Sequence, residues 1–133
     1  MREKAPIPRS PRTEILGIPW LARAVDKGRM HLAGTLGDYE FPCPADVFIL
    51  RLLKLSLADF LSLLAASSND EGLDLTLAPR ISDLTSRERI SLEVFSIKNS
   101  RLFDSLDIEE GRKPMPEKVS SEENLSGPKT RTQ

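Results

Sequence analysis

The sequence predicts an all-α fold, a small single-domain bundle of four to five short helices with an extended proline-rich N-terminal arm and a disordered C-terminal tail. Three observations predict it. Apolar residues recur at helical spacing in three stretches, near 20–32, 45–66 and 86–97. Helix-start signals of the form Ser/Thr-x-x-Asp/Glu stand at Ser56–Asp59 and Thr85–Glu88. The one alternating stretch, Leu73–Pro79, is short and has no second strand to pair with, so its leucines are read as an extended loop packed on the core. The length, 133 residues, suits one domain.

The elements follow in chain order. Residues 1–19 carry Pro6, Pro8, Pro11 and Pro19, each fixing φ and removing a donor, so the chain starts as an arm (1–11) leading into a helical domain (12–106). The first helix opens at Pro19-Trp20, where a missing N–H does no harm. Its apolar face holds Trp20, Leu21, Ala24, Val25 and Leu32, and its polar face Arg23, Asp26, Lys27 and Arg29. Gly28 costs about 1 kcal/mol against Ala within a helix, which suggests close approach of another element or a local bend. Gly34 and Gly37 end the helix. Residues 36–44 form a loop in which Pro42 and Pro44 hold Cys43 extended. Residues 45–66 are read as two helices, roughly 45–54 and 57–66, divided at the Ser56 cap, with one long helix as the competing reading. Ser67–Gly72 is a loop by composition. A last helix runs from Thr85 to about Asn99, with Ile90, Leu92, Val94, Phe95 and Ile97 turned inward, and Leu102, Phe103 and Leu106 add one more turn or short helix. The tail, 107–133, is too poor in apolar residues to offset an ordering cost of about 1–2 kcal/mol per residue.

At this point the residues carry a family resemblance. The run Pro8–Arg12, the Trp-Leu-x-Arg-x-x-Asp-Lys-x-Arg pattern from Trp20 to Arg29, the Gly34-x-x-Gly37-x-Tyr39 turn and the Cys43-Pro44-x-Asp46 step into a helix resemble a mainly bacterial family, the domain of unknown function 5069. The resemblance is best over about residues 8–66. It implies a small helical domain and supplies no activity. The family pattern often has a Gly between the next two helices, where this chain has Lys54.

The chemistry is bounded by composition. Nineteen Lys+Arg against 20 Asp+Glu leave a net charge of −1, which disfavours nucleic acid as a partner. One cysteine excludes an intramolecular disulfide and a cysteine-cluster zinc site, and one histidine, His31, has no metal-ligand spacing around it. No cofactor motif, phosphate loop or complete catalytic constellation occurs, so no cofactor, metal or catalytic residue is assigned. The run 45–66 is interrupted by Asp46, Arg51, Lys54 and Asp59 and does not suit a bilayer. With one thiol and no apolar stretch after the basic start, the expected compartment is the cytoplasm.

The densest charged group is Arg23, Asp26, Lys27 and Arg29. At helical spacing Asp26 reaches Arg23 and Arg29, for about 0.2–0.5 kcal/mol per pair. Such a face is either solvated or a cationic cluster for a carboxylate or phosphate. Cys43 is read as a small buried residue, with His31 the one imidazole available to activate it. Asp46 suits the first turn of its helix by charge, and Tyr39 stands in the loop before it. The expected function is a non-enzymatic binding or adaptor domain. It uses the Arg23/Lys27/Arg29 face and the Tyr39–Asp46 loop, with Asp26 and Cys43 among the contacts, to take a small anionic ligand or a protein partner. The alternatives are a small enzyme using Cys43 or Asp26/Asp46, and a nucleic-acid-associated factor using the basic arm.

Overall fold

The computed structural model describes residues 6–112, and the tail expected over 107–133 lies beyond Arg112 outside the described residues. Among the described residues there are six α-helices and no strands: α1 Leu21–Ala33, α2 Pro44–Leu52, α3 Leu57–Ala66, α4 Asp70–Ser82, α5 Ser86–Lys98 and α6 Ser100–Glu109. The chain divides into two units, residues 1–103 and 104–133. In the second, α6 continues to Glu109. Gly111 then turns at φ 85° and the Arg112 guanidinium bridges Asp107 and Glu110, at 3.2 and 2.6 Å.

In the first unit α1 packs chiefly on α3, and also meets α2. Leu21, Ala24 and Val25 are fully buried with Phe60 and Leu64 across from them. Gly28 makes this approach possible. A Cβ there would overlap Leu64 Cδ1 and lie 3.3 Å from Phe60 Cε2, so the helix cost of glycine is repaid by a close helix–helix contact. Leu32, expected on the same apolar face, is instead exposed, in the last turn before Gly34 caps α1 at φ 74°.

The division between α2 and α3 falls where the Ser56 cap placed it, with Ser56 Oγ accepting from Asp59 N at 3.0 Å. Lys54 takes a left-handed φ of 59° at the turn, a conformation that glycine adopts without strain.

Two expectations are corrected. Residues 70–82 are a helix, not an extended loop, which brings the helix count to six. Asn69 caps it, accepting from Gly72 N at 3.0 Å, and Asp70 and Glu71 favour its N-terminus. Leu73, Leu77 and Ile81 form its buried stripe, four residues apart, while Leu75 is exposed. The strand-like alternation of 73, 75 and 77 therefore hid a 73–77–81 helical spacing that extends past Pro79. On α5, only Leu92 and Phe95 turn inward. Ile90, Val94 and Ile97 point outward, because the core lies on the opposite side of the helix.

The arm is docked. Pro8 and Pro11 are buried, and Pro11 O accepts from Trp20 N at 2.9 Å. Arg12 donates to Ser100 O at 3.1 Å and lies 5.5 Å over the Phe103 ring.

Candidate functional site

The charged face of α1 is not a solvated one. Arg23 is 1% and Lys27 4% exposed. Trp20, the residue before α1, holds a left-handed φ of 70°. Its backbone is tied to the arm, and its ring lies 5.6 Å from Phe103 and 6.4 Å from Phe95. A bulky residue in this region costs about 1–3 kcal/mol and persists only when its surroundings hold it there.

What it holds is a buried polar knot. Trp20 Nε1 donates to Asp46 Oδ1 at 2.7 Å. Lys27 Nζ is 2.8 Å from Asp46 Oδ2, and this carboxylate also accepts from Cys43 N at 3.0 Å, capping α2. Asp46 is wholly buried, so its partners replace the water it has lost. Lys27 also donates to Glu40 O at 2.9 Å and reaches Cys43 Sγ at 3.4 Å. Arg23 donates to Arg9 O at 3.1 Å, and its guanidinium lies 5.6 Å from the Trp20 ring and 5.6 Å from the Tyr39 ring. The loop 39–46 is thus clasped against α1, with Phe41–Pro42 cis.

A second network lies further out. Asp26 receives the backbone N–H of Arg9 at 2.8 Å and its Nε and Nη2 at 3.0 Å each. Arg9 Nη1 continues to Asp70 Oδ2 at 2.6 Å, and Arg29 Nη1 reaches Asp70 Oδ1 at 3.0 Å. Two guanidinium groups bracket one half-exposed carboxylate at the N-terminus of α4. The Arg9 hydrogen bond is the main cause holding the Asp70 carboxyl below its ordinary range; burial opposes it and Arg29 adds to it. Burial works against the charge on Arg9, but its bonds to Asp26 and Asp70 outweigh this and raise its pKa further. Arg29 Nε is buried with no hydrogen-bond acceptor among the described residues.

Five of the seven expected site residues therefore meet in the knot: Arg23, Lys27, Tyr39, Cys43 and Asp46, with Trp20. Asp26 and Arg29 belong to the outer network. Asp26 is bound by Arg9 rather than by its neighbours on the helix, because the docked arm presents a fork that spans both carboxylate oxygens. Cys43 is not a buried apolar residue. It is half-buried at the N-cap of α2, and the group beside it is the Lys27 ammonium rather than His31, which is exposed against Phe41. Arg9 and Asp70 were missed. Arg9 sits in the Pro8–Arg12 motif between two buried prolines, a usable signal. Asp70 carried no signal, because nothing local shows that α4 returns to α1.

Among the described residues no group of three or more His, Cys, Asp or Glu could hold a metal ion, and no helix is long and apolar enough to cross a membrane. No curated protein and no solved structure matches the chain. The profile of one family, described as Domain of unknown function (DUF5069), matches residues 5–96. That span holds both networks, from Arg9 to Asp70, and so the chain belongs to the DUF5069 family.

Proposed function

We propose that the domain is a non-enzymatic binding module that takes an anionic group on Arg9 and Arg29. One observation carries this reading: both guanidinium groups hold the Asp70 carboxylate between them, and Arg29 Nε is left buried without an acceptor. Planar forks of this kind match carboxylate and phosphate oxygens, and charge-assisted bonds to them are about twice as strong as neutral ones. Asp70 stands in for the ligand, and an incoming oxyanion replaces it. Arg23, Lys27 and Asp46 act by positioning, holding α1, the arm and the 39–46 loop in place. Tyr39 and Cys43, both half-exposed on that loop, extend the surface offered to a partner. The single thiol and the charged interruptions of 45–66 suit a bacterial cytoplasm.

Calorimetric titration with pyrophosphate and with citrate tests this. Asp70→Asn removes the internal competitor and binds more tightly than wild type, while Arg29→Gln loses binding. If neither anion binds wild type or Asp70→Asn, the reading fails.

A second reading, thiol chemistry at Cys43, is favoured by the 3.4 Å contact between Lys27 Nζ and Cys43 Sγ at a helix N-terminus. Faster labelling of Cys43 by iodoacetamide in the folded protein than in urea would select it; slower labelling leaves the binding module.

A further inference from the structure

Helix α5 is apolar on two opposite sides. Leu92 is buried and Phe95 stacks on Phe48 at 4.6 Å, so this side faces the core. On the other, Ile90, Val94 and Ile97 are 59%, 42% and 74% exposed. Their spacing, four residues and then three, sets them in one row along the helix. A surface helix normally has one apolar stripe, and a contiguous second one marks a surface made to be covered. Beside the row runs a groove of about 560 Å³ between α5 and the turn before α1, lined by Leu16, Ile18, Ile90 and Ile97, with Glu14 and Glu93 among its charges.

We propose that a second copy of this chain covers this face, α5 lying parallel to α5 across a two-fold axis. The four-three spacing is that of a helix seam, with Ile90 and Ile97 at d and Val94 at a. Glu93 then occupies g and Lys98 the following e. In a parallel pair, g faces the e position five residues further along the other helix, so Glu93 of each copy meets Lys98 of the other, twice by symmetry. An antiparallel pair sets g against g and e against e, and these two residues never meet. The groove lies on the Glu93 edge, where Glu14 is a second acid and Arg89 a base. Arg87 holds the preceding a position and α5 ends at Lys98, so the seam stops after three layers and the association is weak and concentration-dependent.

Sedimentation equilibrium on the full chain from about 10 μM to about 1 mM tests this, in the range of affinities a short seam can reach. Wild type is expected to pass from monomer to dimer. Ile97→Asp, at the most exposed position, stays monomeric while its circular-dichroism melting curve matches wild type. Glu93→Lys or Lys98→Glu alone turns two attractions into repulsions and weakens association about tenfold, on the scale of exposed ion pairs. The double exchange Glu93→Lys with Lys98→Glu restores it, which only the parallel register predicts. A wild type that remains monomeric at about 1 mM, an Ile97→Asp variant that still dimerises, or a double exchange weaker than either single change overturns the proposal.

Discussion

Asp46 concentrates more of the local structure than any other side chain: it caps α2 through Cys43 N, anchors Trp20 Nε1 and pairs with Lys27 while wholly buried. Asp46→Asn keeps a carbonyl for the indole but leaves the Lys27 charge without its counter-charge. Removing one member of a buried pair costs about 3–5 kcal/mol, most of it the penalty on the charge left behind. The urea midpoint is expected to fall accordingly. Arg29→Gln, in a pair that water reaches, costs less than about 1 kcal/mol. Equal losses in the two variants would show that the knot is no more demanding than a surface pair. The residue types in the knot were legible in the sequence as a cluster. Their burial was not, because a row of Arg and Lys on a helix looks the same whether it faces water or a clasped loop.

At the scale of elements, the α1–α3 contact is set by one position. Gly28→Ala gains about 1 kcal/mol of helix propensity. It also drives a methyl group into Leu64 Cδ1 and against the Phe60 ring, both buried, and overpacking of this kind costs about 1–3 kcal/mol. The expected sum is a loss of stability. Gly28→Val, with two more methyl groups and no gain in propensity, loses more. A melting temperature raised by Gly28→Ala would show that α3 moves aside freely. The glycine itself announced this contact in the sequence, since an unsupported helix has no use for one. Helix α4 did not announce itself: its start signals, Asn69 and the acids after it, precede leucines at 73, 75 and 77 that fit two periods equally well. Only the core chose between them, burying Leu73 and Leu77 and leaving Leu75 in water.

For the whole molecule, Asp70 is the carboxylate through which the arm, α1 and α4 share charge. Its pKa is depressed in the folded protein, by Arg9 first and by Arg29, against an unfolded value of about 3.9. A depressed carboxyl contributes stability that is present above the unfolded pKa and is lost as pH falls through the folded one. Glu88 acts in the same direction, through the Thr85 N–H first and Lys54 second, at an exposed helix start. The melting temperature is therefore expected to hold from pH 7 to about 5 and fall below about 4. Asp70→Asn melts lower than wild type near neutrality and converges on it in acid. Parallel curves at every pH would show that Asp70 contributes nothing through its charge.

What the sequence determined by itself was local. Helix caps at Ser56 and Thr85 and the glycine stop after α1 are each specified by a few neighbouring residues whose backbone groups must find partners nearby, and these elements formed as read. Which carboxylate each arginine holds, which side of α5 is inside, and whether 70–82 coils or extends were decided only in the tertiary structure. A guanidinium binds whichever carboxylate folding brings within 3 Å, and an apolar residue is buried only if another element arrives to cover it. Arg9 and Asp70 are 61 residues apart, and no periodicity in the chain connects them; the return of the N-terminus of α4 to Arg9 and Arg29 does.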